Sequence, residues 1–239
     1  MEIRIFQKGF HFSQDGPGNR LVYHLQGCGL RCPWCANPEG LRIDGGTACT
    51  VEELVEEVQR SQMMFFDSGG VTLTGGEVTV QFPAVKLLLE KLRQLEIHTC
   101  IETNGIDLRL PQLFPVLDLL IVDLKHHDEA VHRAVTGQGN RKTVENIRLA
   151  VAVGQPMLVR IPLIGGFNAS LEDAERFGVL LASLGVSEVE LLPYHEFGKD
   201  KYRWLGMSYT MTEEAKVSRE QVSRFMEILE AHGIHIIKT

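Results

Sequence analysis

The residues with the most chemistry in them lie at 27–37, GCGLRCPWCAN, where Cys28, Cys32 and Cys35 are spaced Cys-x-x-x-Cys-x-x-Cys. Three of the five cysteines in this 239-residue chain fall within eight positions. Thiolates are soft ligands, and this spacing lets one short loop fold them round a single iron–sulfur or metal centre. The odd number is informative. A structural zinc site takes four protein ligands, whereas three thiolates on a cubane leave one iron free to bind something that is not protein. Two plainer readings stand beside this: a half zinc site completed by Cys49 or Cys100, or thiols that simply fill space. Against the first, no second, distant ligand pair of the kind structural zinc uses is visible in the sequence.

Such a loop needs a rigid frame, and the periodicity of the chain supplies one. The apolar run at 21–26, LVYHLQ, reads as a strand that stops at Gly27, just before the cysteines. Thr50-x-x-Glu53 is a capping box that opens an amphipathic helix running to about Phe65. Further strands are expected at 71–74, 98–103, 119–125, 157–164 and 188–194. They alternate with helices at 83–95, after Asp128, at 141–153 and behind the box Ser170-x-x-Asp173. A last helix starts near Ser218, with Gln221 completing a weaker box, and Gly233 caps it before the terminal IHIIK.

Strands alternating with helices in this rhythm mean right-handed βαβ units and a parallel sheet. The expected fold is α/β, a single domain over residues 1–239 built as a partial (β/α)6 barrel open at one side. A doubly wound open sheet is the other arrangement the rhythm allows. In both, functional groups gather at the carboxyl ends of the strands. That rule nominates the cysteine loop, Gly75-Gly76-Glu77, Glu102-Thr103-Asn104, Asp123, Lys125, Arg160 and His195 for one face. A double glycine at a strand end lets bare main chain approach a ligand, and the Glu77 carboxylate beside it suits an ammonium. The longest irregular pieces, 37–48 and 196–212, are loops of the size that is usually functional or mobile.

The cysteine triplet directly after an apolar strand resembles the radical S-adenosylmethionine (SAM) superfamily, whose 4Fe–4S cluster presents its open iron to the amino and carboxylate groups of SAM. The likeness narrows with the segments SQDGPG at 13–18, LTGGE at 73–77, CIETNG at 100–105, IVDLK at 121–125, VRIPLI at 159–164 and LLPYH at 191–195. In that order they resemble the activating enzymes of glycyl radical enzymes, of the pyruvate formate-lyase type, over nearly the whole chain. Many of those enzymes carry an inserted ferredoxin-like domain. Only about 35 residues separate Cys35 from the strand at 71–74, so this chain resembles the short, single-cluster form.

The resemblance implies roles. Cys28, Cys32 and Cys35 would hold the cluster, and Trp34, Asn37, Gly75, Gly76, Glu77, Thr103, Lys125, Arg160 and His195 the SAM, with Glu77 on its ammonium. Glu102, Thr103 and Asp123 would hold a monovalent cation, and Asp15 would lie at the channel for the peptide substrate. The implied cofactors are one 4Fe–4S cluster, SAM and that cation. One electron, delivered by a donor such as flavodoxin or ferredoxin, would cleave SAM to methionine and a 5′-deoxyadenosyl radical. The radical would take a hydrogen atom from the Cα of a glycine in a partner glycyl radical enzyme. The cofactor carries the hard chemistry, so no acid–base pair is required.

Three positions depart from the family pattern: Val78 where Pro is usual, Glu102 where Asp appears, and Ala36 where a His follows the last cysteine. If that His tunes the cluster or contacts the substrate, the task is missing here or supplied elsewhere, and the sequence does not rank His11, His24 and His126 for it. A radical SAM enzyme acting on a small molecule or another peptide, and a non-catalytic iron–sulfur or zinc protein, remain the rival readings.

Composition narrows the partners. Lys plus Arg number 24 against 31 Asp plus Glu, and a net charge of −7 argues against non-specific binding to nucleic acid or anionic lipid. The opening MEIRIFQKGFHF is too polar for a signal peptide, and nowhere do eighteen apolar residues run together. Clustered cysteines fit a reducing compartment better than a disulfide scaffold. A soluble, cytoplasmic monomer is expected.

Overall fold

Ile3 and Ile5 are buried between exposed neighbours, the two-residue period of a half-buried strand. A computed structural model describes residues 1–237. It makes this segment β1 (Glu2–Phe12), which turns at 13–18 into β2 (Asn19–Leu25). Then come β3 (Thr47–Thr50), β4 (Gly70–Gly75), β5 (Thr99–Thr103), β6 (Leu119–Asp123), β7 (Met157–Leu163), β8 (Glu188–Pro193) and β9 (His235–Ile237). Among the described residues these nine strands form one sheet in the order β3–β1–β2–β4–β5–β6–β7–β8–β9.

From β2 through β4 to β9 the strands run parallel, while β1 pairs antiparallel with both β2 and β3. The sheet does not close, because β3 and β9 are its two edges. It is a partial barrel open at one side. The six strands expected from periodicity are β2 and β4 to β8. Periodicity assigns no strand to β1, β3 or β9, and β3 begins inside the stretch 37–48 read as a loop; Lys238 of the terminal IHIIK lies outside the described residues.

Helices cover the outer face: α1 (Val51–Ser61), α2 (Phe82–Gln94), α3 (Glu129–Thr136), α4 (Arg141–Ala152) and α5 (Leu171–Leu184), then, after the short α6 (Lys199–Trp204) that lies against the cysteine loop instead, α7 (Arg219–Ala231). The boxes at Thr50, Ser170 and Ser218 all form, each side chain accepting the third backbone N–H of its helix. Each is worth about 1 kcal/mol. The first helix stops earlier than expected, at Ser61, and a 3-10 turn (Gln62–Met64) follows it. Between β5 and β6 the crossover is a 3-10 helix (Leu110–Val116), because Pro111 and Pro115 deny backbone donors to an α-helix.

Alternation divides each strand. On β2, Leu21, Tyr23 and Leu25 join the main core between sheet and helices, while Arg20, Val22 and His24 face the concave side. That inner face is polar. Arg20 Nε donates to Thr72 Oγ1 at 2.6 Å, and a small apolar group of Cys100, Ile121 and Leu158 packs apart from the main core. The 13–18 turn lies against it, since Thr72 Oγ1 donates to the Asp15 carbonyl and Arg160 Nη2 to the Gln14 carbonyl, both at 2.6 Å.

Candidate cluster and cofactor site

The cysteine loop leaves β2 at its carboxyl end and is held there chiefly through its main chain. Gly27 N–H donates to Gly40 O at 2.8 Å, and Gly27 O accepts from Glu77 N–H at 2.7 Å. Farther on, Arg31 N–H reaches Thr136 O at 2.8 Å and Gln138 Nε2 reaches Gly29 O at 3.0 Å, tying the loop to α3 and the turn behind it. These anchors turn Cys28, Cys32 and Cys35 into one cavity. Trp34, Ala36, Asn37, Gly75, Gly76, Glu102, Thr103, Asp123, Lys125 and His195 also line it.

Cys49 and Cys100 stay away. Cys49 is on β3 against the outer core, and Cys100 is buried with Ile121 and Leu158. A zinc site completed by either is therefore ruled out by position. Burial pushes the thiol of Cys28 up to about 11 and that of Cys32 up to about 12, and raises Cys35 as well. Thiols so placed give up their protons to a metal rather than to water at neutral pH. Three convergent thiols fit a cluster with three protein ligands.

The glycine turn at the end of β4 is packed against this loop. A Cβ on Gly76 would stand 2.3 Å from Gly27 O and 2.6 Å from Gly40 O, so only glycine lets the two backbones meet. Beneath it, the Glu77 carboxylate lies outside the cavity lining, contrary to its expected place on a ligand ammonium. Its Oε1 accepts from Thr79 N–H at 3.0 Å, Thr79 Oγ1 at 2.7 Å and Thr103 Oγ1 at 2.7 Å, and its Oε2 accepts from Asn104 N–H at 2.8 Å. With its lone pairs spent on β5 and the following turn, it holds Thr103 and Asn104 toward the cavity. Burial raises this carboxyl, and the four hydrogen bonds oppose the shift.

Charges of both signs meet at the barrel's inner wall. Arg160 is buried, its Nη1 against Glu102 Oε1 and its Nε 2.5 Å from Glu190 Oε2. Arg160 therefore stands behind the cavity, with Glu102 between it and the space. Glu102 also accepts from Thr74 Oγ1 at 2.7 Å, and burial raises its carboxyl to about 7 against the pull of Arg160. Lys125 Nζ lies 2.6 Å from Asp123 Oδ2. Burial would lower this ammonium, but Asp123 and the thiols of Cys32 and Cys28 prevail and raise it.

Across the mouth runs α6. Lys201 Nζ meets Asn37 Oδ1 at 2.8 Å and Glu39 Oε1 at 2.7 Å. Gly198 passes so close that a Cβ there would be 2.5 Å from Cys35 O and 3.0 Å from Ala36 Cα. His195 is exposed and stacks on Phe197 at 4.2 Å, while Trp34 packs on Phe167 at 4.8 Å. Thr74 and Lys201 escaped sequence reading. Thr74 had a signal in its place before the double glycine, but Lys201 had none.

The structure separates the three histidines. His11 Nδ1 pairs with Asp15 Oδ2 at 2.6 Å. His126, His127 and Asp173 bring ligand atoms within 4.8 Å of one another. Yet His126 Nδ1 accepts from Asp128 N–H at 2.8 Å and its Nε2 faces Phe167 O at 3.1 Å. That tautomer carries its proton on Nε2 and leaves no lone pair for an ion. His24 has neither kind of partner.

A loop of three thiols over the carboxyl ends of a partial parallel barrel is the site of a radical SAM protein, and the family model described as the Radical SAM superfamily matches residues 22–178. Pyruvate formate-lyase 1-activating enzyme of Escherichia coli (strain K12) is 33% identical over 225 residues, covering 92% of each chain. The pyruvate formate-lyase-activating enzyme of Clostridium pasteurianum is 32% identical over 218 residues, 90% of this chain and 92% of that one. A solved domain of pyruvate-formate lyase-activating enzyme from Bacteroides vulgatus superposes with a TM-score of 0.58 at 28% identity, over 71% of this chain and 98% of that chain. A radical SAM methyltransferase from Sphaerobacter thermophilus, 20% identical, shares the fold at a TM-score of 0.70 over 95% of this chain and 67% of its own. The chain belongs to the pyruvate formate-lyase activating enzymes of the radical SAM superfamily. The cofactors of that superfamily are a 4Fe–4S cluster and SAM.

Proposed function

We propose that the chain activates a glycyl radical enzyme by abstracting a hydrogen atom from one of its glycines. The observation that carries this is the single cavity in which three thiols, the bare Gly75–Gly76 turn and the Lys125–Asp123 pair come together. When bound, the cluster and SAM supply a reductively generated alkyl radical that removes hydrogen from a glycine Cα. Cys28, Cys32 and Cys35 hold the cluster, and the Lys125 ammonium offsets thiolate charge beside it. Gly75 and Gly76 offer main chain to the SAM ammonium, with Thr103 presented by Glu77 from below. Asn37, Trp34 and His195 close round the remainder of SAM, and Arg160 acts through Glu102.

A monovalent cation at Glu102, Thr103 and Asp123 belongs to the same reading, sharing these carboxylates with Arg160 and Lys125. Asp15 borders the path of the peptide. A low-potential carrier such as flavodoxin or ferredoxin delivers the electron, and the protein works as a cytoplasmic, single-domain monomer. Among the described residues no helix is long and apolar enough to cross a membrane.

Anaerobic reconstitution followed by SAM, reductant and pyruvate formate-lyase tests the proposal. 5′-Deoxyadenosine by chromatography and a glycyl radical by electron paramagnetic resonance are expected together. 5′-Deoxyadenosine with a modified small molecule and no protein radical would assign a different substrate.

A further inference from the structure

Both ring nitrogens of His24 are buried without a hydrogen-bond partner, in a residue only 7% exposed. Leaving an imidazole's donor and acceptor unpaired in the interior is costly, and such a group in a folded protein calls for a reason. Its surroundings are arranged to keep it there. The register of β1 against β2 slips between Ile5 and Gln7, and the extra residue, Phe6, lays its ring 5.6 Å from the His24 ring. Bulges of this kind re-aim a side chain beside a functional site. A Cβ on Gly40 would stand 2.7 Å from Phe6 Cε1, so glycine there makes room for the ring.

His24 also faces the cavity side. Its register partner on β4 is Thr74, and residues in register on neighbouring strands share a face. Thr74 lines the cavity and bonds Glu102. The titratable and charged groups around His24 are Asp15 and His11 from the hairpin, Lys201 from α6 and Glu39 from the 3-10 turn after the cysteines. His24 itself does not line the cavity; it lies one layer behind Thr74, on the side of the sheet that Asp15 and His11 also face.

We propose that His24 is a substrate-binding residue whose imidazole pairs with the main chain of the segment carrying the substrate glycine. The inference rests on the activating-enzyme reading. A glycine has no side chain to recognise, so selection falls on its flanking amides, each bringing an N–H and a C=O that lose water on entry. A neutral imidazole offers one N–H and one lone pair, which match those two groups. Burial lowers the basicity of His24, which favours the neutral ring. Asp15 adds an acceptor for a second N–H, and the Phe6 ring, 5.6 Å from the imidazole, would have to move aside for the segment to reach His24.

The test uses reconstituted enzyme, SAM and a peptide spanning the radical glycine of pyruvate formate-lyase, with wild type, His24→Phe and His24→Gln. Phenylalanine fills the space with no polar atom to satisfy, so that variant folds. Its KM for peptide should rise about tenfold or more, with kcat within a few-fold and KM for SAM held. Glutamine, which keeps a donor and an acceptor, should recover part of the loss. In 15N-histidine spectra of the wild type, added peptide should shift the His24 ring nitrogens. An unaffected peptide KM in His24→Phe, a shift in KM for SAM instead, or unmoved ring signals overturns this inference alone. Failure of the wild type to form any glycyl radical overturns the activating-enzyme reading, and this inference with it.

Discussion

Cys32 and Cys100 have equally reluctant thiols, both pushed up to about 12 by burial, yet they differ in what surrounds them. Cys32 shares its cavity with two more thiols, whereas Cys100 shares its space with Ile121 and Leu158. Cys32→Ala should therefore abolish cluster assembly, measured as iron and sulfide per chain, while Cys100→Ala should retain it. Glu77 makes a second residue-scale case. Exchanging its carboxylate for an amide in Glu77→Gln replaces an acceptor oxygen with a donor facing Thr103 or Asn104. Burying that mismatch should lower unfolding free energy by about 2 kcal/mol in urea titrations and weaken SAM binding about tenfold by calorimetry. Unaltered stability would show that the four hydrogen bonds to Glu77 contribute little. For His24 the pH direction is also set. Its folded pKa lies below the unfolded value, so below about pH 6.5 the unfolded chain takes up a proton that the folded one refuses. The stability of wild type relative to His24→Phe should thus fall as pH drops from 7.5 to 5.5, by at most about 1.4 kcal/mol per pH unit.

Three elements meet at the cluster loop, and they meet backbone to backbone. The end of β4 enters through Gly76, the 3-10 turn (Pro38–Leu41) through Gly40, and the approach to α6 through Gly198. Because the atoms in the way of a Cβ at Gly76 are carbonyl oxygens, no side-chain rotation relieves the clash. Gly76→Ala should cost about 1–3 kcal/mol and reduce the iron retained after reconstitution. A variant with full iron content and wild-type unfolding would show that loop and turn move independently. Helix α6 adds a second clasp through Lys201, which bridges Asn37 and Glu39 on the loop side of the cavity.

At the scale of the whole molecule, an open sheet leaves two edges to manage and a side for a partner's chain to enter. Among the described residues the edges are blunt, with four residues in β3 and three in β9, and short edge strands are poor templates for a strand from another copy. Light scattering should accordingly give the mass of a single chain. On the inner side the 13–18 turn is pinned through its main chain by Thr72 and Arg160, and the Asp15 carboxylate pairs with His11. Asp15→Ala should lower the ratio of glycyl radical formed on the partner to 5′-deoxyadenosine produced, by about tenfold, in paired resonance and chromatographic assays. If that ratio holds while both products fall, Asp15 supports the cofactors instead.

The amino-acid sequence by itself determined what rests on neighbours along the chain. The cysteine spacing, the strands that became β2 and β4 to β8, and the boxes at Thr50, Ser170 and Ser218 are all contacts among residues a few positions apart. The site's outline followed, since parallel strands bring their carboxyl ends to one face whatever their order. Tertiary structure decided which way each group points once it gets there. Glu77 turns under β5 because Thr103 and Asn104, about 26 residues on, present donors to it. Lys201 clasps a residue 164 positions away. His24 stands apart from His11 and His126 only because of what faces it across the sheet. A side chain's periodicity states which face it takes, but whether its polar atoms find partners depends on segments that folding alone brings together.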